Sequence, residues 1–219
     1  MKRFEFARLR ACFKWERPII VGLLIVTLAL AVFLSLAREV REAEAFGFDQ
    51  AILTELSRVA STNMTRFMLF ASDTADPIFF VPALVILAFF WLRRRPADWI
   101  ALAASVAGAF LLNQLMKSIF ERARPDLFPH LQEVTGYSFP SGHSQAAMAF
   151  FPVLAYLIAR RVRPPWRIPI YIAAGLWVIL VGLSRNYLEV HYPSDVLAAF
   201  AVTLPWALAV IFVHRCYAP

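Results

Sequence analysis

Six apolar stretches of near membrane-spanning length dominate this chain and limit what it can fold into. They lie at residues 18–37, 76–92, 97–116, 144–159, 168–183 and 196–213. A hydrocarbon core needs roughly 20 apolar residues per helix. In lipid, backbone N–H and C=O groups must be satisfied inside the segment, and the helix does this. The expected fold class is all-α, a polytopic membrane protein with six transmembrane helices. Composition agrees: 60% of the 219 residues are hydrophobic, whereas a soluble domain is usually below half apolar. No linker, repeat or second composition divides the chain, so residues 1–219 read as a single integral membrane domain.

The connecting loops set an orientation. Lys2, Arg3, Arg8, Arg10, Lys14 and Arg17 precede the first stretch. Arg93, Arg94 and Arg95 follow the second, Arg160, Arg161, Arg163 and Arg167 follow the fourth, and Arg215 lies in the tail. The positive-inside rule makes these four segments cytoplasmic, with both termini inside and the other three connections outside. Ala43-Glu44-Ala45 resembles a signal-peptide cleavage site. The preceding apolar run is longer than the usual roughly 7–15 residue signal core, so the first span is expected to be retained. The net charge of +7 falls in short runs between apolar segments. That pattern excludes a nucleic-acid partner, which needs a basic patch on a polar domain. Cys12 and Cys216 lack metal-ligand spacing, and no disulfide framework is expected.

Residues 48–70 are amphipathic. Ile52, Leu56, Val59 and Phe67 fall near one helical face, with Leu53, Ala60, Met64 and Met68 beside them. Glu55, Arg58 and Arg66 make the segment too polar to span. An interfacial helix on the outer side is expected, with simple packing on the bundle as the alternative.

Three polar clusters interrupt the apolar pattern, all on outward-facing connections. Lys117 and Arg124 are seven residues apart, so they share a face if the third span continues that far, before Pro125 turns it. Arg122 falls off that face. A mobile ammonium and a planar guanidinium together suit phosphate oxygens, although a basic helix end can also snorkel to headgroups. Pro140-Ser141-Gly142-His143 opens the fourth span. Ser141 suits an N-cap, Gly142 permits close backbone approach, and free N–H groups at a helix start favour an anion. His143 there can act as a general acid or as a phosphate donor. Arg185 ends the fifth span, and His191 and Asp195 open the sixth behind Pro193. A carboxylate four residues after a histidine can accept from one ring nitrogen and leave the other as a nucleophile. Glu189 reads as a solvated loop residue and His130 as a surface histidine. His214 is on the wrong face for a shared site. Asn113 and Gln114 read as interhelical hydrogen-bonding groups.

The ordered set resembles the type-2 phosphatidic acid phosphatase superfamily, whose signature is K-x6-RP, PSGH and SR-x5-H-x3-D. The chain has KSIFERARP at 117–125, PSGH at 140–143 and SRNYLEVHYPSD at 184–195, matching every signature position. The resemblance implies that Lys117, Arg124 and Arg185 hold the phosphate with Ser141 and the Gly142 backbone. It also implies His191 as nucleophile, Asp195 as its orienting base, and His143 as the acid for the leaving oxygen. It implies no metal and no cofactor. The expected activity is lipid phosphatase action through a phosphohistidine. Candidate substrates are undecaprenyl pyrophosphate, phosphatidylglycerophosphate and phosphatidate. The expected partners are the lipid bilayer and its phosphorylated lipid. The expected location is a bacterial inner (plasma) membrane, with the site on the outer face. Two other readings stay open: a lipid phosphotransferase, and a non-catalytic membrane protein that binds phosphorylated ligands. Monomer and dimer are both compatible with the spans.

Overall fold

The computed structural model describes residues 16–42, 47–76, 85, 88–89, 93 and 95–218. Among the described residues there are seven helices of eight or more residues and no strand. They are α1 (Glu16–Arg41), α2 (Gly47–Arg58), α3 (Thr62–Asp73), α4 (Pro96–Phe120), α5 (Gly142–Ala159), α6 (Pro164–Tyr187) and α7 (Pro193–Tyr217). Five of these helices are long and apolar enough to cross a membrane: α1 from Ile19, and α4 to α7. They correspond to five of the six expected spans. The remaining one, residues 76–92, lies for the most part outside the described residues.

Proline at the first turn opens α4, α6 and α7, where its missing N–H costs nothing. Helix α5 is central. Its Val153, Tyr156 and Leu157 meet Leu102 of α4 and Ala207 of α7, and its Ala147 meets Val178 and Val181 of α6. Helix α1 packs antiparallel on α7 through Phe33, Ala37, Ala198 and Ala201. The outer surface is apolar: Leu24 and Leu28 on α1, Leu111 on α4 and Ile168 and Leu176 on α6 all stand exposed. Such a belt has no place in water and suits lipid.

Three expectations are corrected. The amphipathic segment is two helices, α2 and α3, not one. Ser61 breaks it by capping α3, accepting from the Met64 N–H at 3.4 Å. The Tyr187 hydroxyl accepts from the Ser61 N–H at 3.1 Å and bonds Thr65 Oγ1 at 3.0 Å, which pins the break. Within this pair Leu53 is buried, while Ile52, Val59 and Phe67 face outward. Next, α4 stops before Arg124. Glu121 takes a left-handed φ of 44° and its N–H closes on Lys117 O at 3.1 Å. Arg124 is therefore a loop residue and not two turns along the same helix. Last, Cys216 is disulfide-bonded. Spacing along the chain was silent on this, because the antiparallel α1–α7 contact is what returns the C-terminal end of α7 to the side where α1 begins.

His214 lies at the end of the bundle opposite Lys117 and His143. Its Nε2 is 2.9 Å from Asp98 Oδ1 and its Nδ1 is 3.2 Å from the Tyr156 hydroxyl, and Arg161 pairs with the same Asp98. This network joins α4, α5 and α7.

Helix α4 approaches α7 closely at Gly108. A Cβ there would lie 2.3 Å from the Trp206 ring, whose Nε1 donates to Ser105 O at 3.0 Å. Gly108→Ala is expected to lower stability by about 1–3 kcal/mol through overpacking, read as a lower melting temperature in detergent.

Candidate active site

Antiparallel neighbours bring three helix ends together. Lys117 lies in the last turn of α4, Gly142 and His143 open α5, and Arg185 lies in the last turn of α6. His191 sits in the short α6–α7 connection and Asp195 in the first turn of α7. Arg124 comes in on the α4–α5 connection. Lys117 lies within electrostatic reach of Arg124, Arg185 and Asp195.

His191 is buried, and its two ring nitrogens have different surroundings. Nδ1 is 3.5 Å from Asp195 Oδ2, too long for a direct hydrogen bond. Ser138 fills the gap. Its Oγ lies 3.2 Å from His191 Nδ1 and donates to Asp195 Oδ2. With that proton committed, the hydroxyl accepts from Nδ1–H, which leaves Nε2 as the unprotonated nitrogen, its lone pair an acceptor for Arg124. Nε2 faces Arg124 Nη1 at 3.3 Å. Burial, with Arg185 and Arg124 nearby, outweighs Asp195 and pushes the imidazole down to about 4, so the ring is neutral at pH 7.

Asp195 is fully enclosed and paired. It accepts from Arg122 Nη1 at 2.6 Å and from the Tyr192 N–H at 2.9 Å. Arg122 also reaches Asp49 of α2 at 3.1 Å and lies over the Tyr192 ring at 4.1 Å. Asp49 in turn accepts the Ser194 N–H at 2.8 Å. The Asp195 carboxylate is thus fixed from three sides.

The cations are held differently. Arg124 gives Nε to Gly136 O at 3.0 Å, Nη2 to Thr135 O at 2.9 Å and Nη1 to Val190 O at 2.7 Å. Neutral carbonyls orient it without cancelling its charge. Arg185 is buried and donates to Ser72 Oγ and to Gln132 Oε1, also neutral, while its Nε has no hydrogen-bond partner among the described residues. Lys117 lines a cavity of about 190 Å³ with Asn113, Gly142, His143 and Gln145. The apolar wall of this cavity is Val106, Ala109, Phe110 and Ala146, and Phe110 is also exposed on the outer surface of α4.

The start of α5 carries the second motif. Gln145 N–H makes the first helical bond, to Ser141 O at 3.0 Å, so the N–H groups of Gly142, His143 and Ser144 precede it. Three successive amides at a helix start form an anion site. Ser141 occupies the N-cap position but does not cap with its side chain, which instead accepts from Ser144 Oγ at 2.9 Å. Asn113 donates to Pro140 O at 3.1 Å and to Gln145 Oε1 at 2.6 Å, the interhelical role its sequence position suggests. It also lies 3.4 Å from where a Cβ on Gly142 would sit. His143 Nε2 is 3.3 Å from Asp76 Oδ2.

Glu189 is not solvated. It is 2% exposed, and neither carboxylate oxygen has a hydrogen-bond partner among the described residues. Its φ of 60° turns the side chain inward, and burial alone pushes the carboxyl up to about 7. Ser138, Arg122, Asp49, Ser72 and Gln132 were also missed by sequence reasoning. Ser138 alone had a signal, two residues before the Pro140 motif. The others lie on separate segments and meet their partners only through the fold. His130 remains a loop residue, 2.7 Å from Pro125 O through Nε2.

Known proteins resemble this chain in sequence and in fold. Residues 98–217 match the model of the PAP2 superfamily. Phosphatidylglycerophosphatase B of Bacillus subtilis is 32% identical over 175 residues, covering 78% of this chain and 86% of that protein. Undecaprenyl-diphosphatase of Sulfolobus acidocaldarius is 26% identical, covering 81% and 82%. The crystal structure of a transmembrane PAP2-type phosphatidylglycerolphosphate phosphatase from Bacillus subtilis aligns with a TM-score of 0.75 at 30% identity. That alignment covers 84% of this chain and 93% of that one.

Two outcomes are expected. Ser138→Ala lowers kcat by on the order of 10²-fold with little change in KM, because it loosens His191, the nucleophile expected from the motif, and not the substrate. Steady-state kinetics on a phosphorylated lipid checks this. Glu189 has a folded pKa of about 7, above its ordinary 4.5. Its stabilising contribution is therefore complete below about pH 4.5 and is lost as pH rises through 7. The melting temperature of the native protein, relative to Glu189→Gln, falls across that window. A difference independent of pH contradicts the buried carboxyl.

Proposed function

The chain belongs to the PAP2 superfamily of lipid phosphatases, and from that premise we propose that it removes phosphate from a membrane lipid through a phosphohistidine, without a metal. The observation that carries this reading is the pairing at His191: Nδ1 is backed by Ser138 and Asp195 while Nε2 faces Arg124. His191 Nε2 attacks phosphorus as the ester or pyrophosphate P–O bond breaks. The leaving oxygen takes a proton from His143. A water then gives its proton back to His143 and attacks the phosphohistidine, releasing phosphate and restoring the Nε2 lone pair.

Phosphoryl transfer asks chiefly for positioning and charge stabilisation. Lys117, Arg124 and Arg185 are the phosphate-binding cations, helped by Ser141 and by the Gly142 amide at the start of α5. The metal-free reading is supported by this charge: fixed cations and helix amides already supply the electrostatic stabilisation that a divalent ion would. The carboxylate nearest the nucleophile, Asp195, is already committed to Arg122.

The apolar wall of the cavity supports a lipid substrate whose tails stay in the bilayer, and the exposed Ile52, Val59 and Phe67 support an interfacial position for α2 and α3. The substrates proposed are phosphatidylglycerophosphate, undecaprenyl pyrophosphate and phosphatidate. The membrane proposed is a bacterial inner membrane, with both termini cytoplasmic and the site outside.

Free phosphate release from these three lipids, in detergent with EDTA, tests the proposal. Release by wild type and loss of more than about 10³-fold in His191→Ala is expected. Activity that disappears in EDTA and returns with a divalent ion would contradict the metal-free site. Asp195→Asn is expected to fold and to slow turnover strongly. The acid limb of kcat/KM attributable to the nucleophile is expected near pH 4, not 6.5, since protonation of His191 removes its lone pair and its imidazole is held near 4. Titration of the His191 ring by NMR separates this limb from ionisation of the substrate.

A further inference from the structure

Asp76 lies outside all three signature motifs, yet its Oδ2 is 3.3 Å from His143 Nε2. Its placement is determined by the fold around it. The segment that ends α3 is pinned at successive residues: Arg185 donates to Ser72, Trp177 Nε1 donates to Thr74 Oγ1 at 3.0 Å, and Ala75 packs with Ala147, Val178 and Val181. Asp76 follows directly and is delivered to the first turn of α5.

The two nitrogens of His143 then have distinct environments. Nε2 is enclosed and its approach to Asp76 is at ion-pair distance but off a hydrogen-bond direction. The carboxylate therefore acts on the ring mainly as a charge. Nδ1 has no hydrogen-bond partner among the described residues, and the ring lines the cavity beside Lys117. The other charged groups that reach His143 are Arg185, His191, Lys117 and Arg124. All but His191 are cations, and cations oppose a protonated imidazole. A group that must donate a proton from this position needs a counter-charge, and Asp76 is the carboxylate within ion-pair distance.

We propose that Asp76 is a positioning residue for the acid step, holding His143 protonated and turned so that Nδ1–H reaches the leaving oxygen. The inference rests on the reading of His143 as general acid. It extends that reading to a residue that the motifs do not contain. Asp76 also lies within electrostatic reach of Arg185. A role there would act on phosphate binding and so on every substrate alike. The two roles are separated by the leaving group, because only a poor one needs its proton.

The experiment compares kcat/KM, which reports the steps up to release of the alcohol, for two substrates in the same detergent. One is a long-chain alkyl phosphate, which leaves as an alkoxide. The other is a nitrophenyl phosphate carrying the same chain, which leaves as a stable phenolate. In Asp76→Asn the alkyl substrate is expected to lose about 10–100-fold and the nitrophenyl substrate far less, with Asp76→Glu recovering most of the loss. Equal losses on both substrates, or none on either, overturn the proposal. His143→Gln is run alongside. If it too shows no dependence on leaving group, the acid assignment itself has failed. If it shows the dependence and Asp76→Asn does not, only the role of Asp76 has failed. Should the Asn variant not fold, Asp76→Ser gives the same comparison.

Discussion

Asp195 is the group on which the rest of the site depends. A carboxylate removed from water costs several kcal/mol unless it is paired and hydrogen-bonded. Here it is enclosed by Arg122 at 2.6 Å, the Tyr192 N–H at 2.9 Å and the Ser138 hydroxyl. These partners come from separate segments. Ser138 and Arg122 lie on the α4–α5 connection, Tyr192 caps α7, and Arg122 extends the contact to Asp49 on α2. Together they offset the desolvation cost. The consequence is a shared anchor: the loop, the start of α7 and the amphipathic α2 meet around one charge, and His191 is oriented by the result.

Charge is treated in opposite ways at the two ends of the bundle. At the remote end Asp98 meets both Arg161 and His214, so the basic groups of that network share a carboxylate. At the site Arg124 is held by three carbonyls and Arg185 by a hydroxyl and an amide, all neutral. Neutral acceptors fix the direction of a guanidinium but leave its field intact. One network spends its polarity on tying helices together. The other keeps a positive potential in a confined space, where it attracts an anion far more strongly than in water.

Much of this was legible in the sequence, for identifiable reasons. Helical spans follow from local hydropathy, and five of the six correspond to helices among the described residues. The motif residues were legible because, Arg124 apart, each lies at or near a helix end, where a run of apolar residues breaks. What stayed hidden depends on partners distant in the chain. The α2–α3 break is held by Tyr187, 126 residues from Ser61. Arg122 looked off-face because its expected helix does not continue, and in the loop it turns to Asp195. Ser138 was invisible as a relay because the His-x3-Asp spacing suggests direct contact, whereas the fold leaves 3.5 Å between them. Glu189 falls in a short connection between two spans, where an acid reads as solvated, and the fold buries it at a left-handed turn.

The cavity beside Lys117 has one further consequence. Phe110 belongs both to its apolar wall and to the exposed apolar surface of α4, so the cavity has a side toward that surface. A lipid entering by that side never crosses bulk solvent. The concentration that matters is then its mole fraction in the surrounding film, not its amount per litre. Added detergent or inert phospholipid acts as a diluent in two dimensions, slowing the encounter while touching nothing in the catalytic centre.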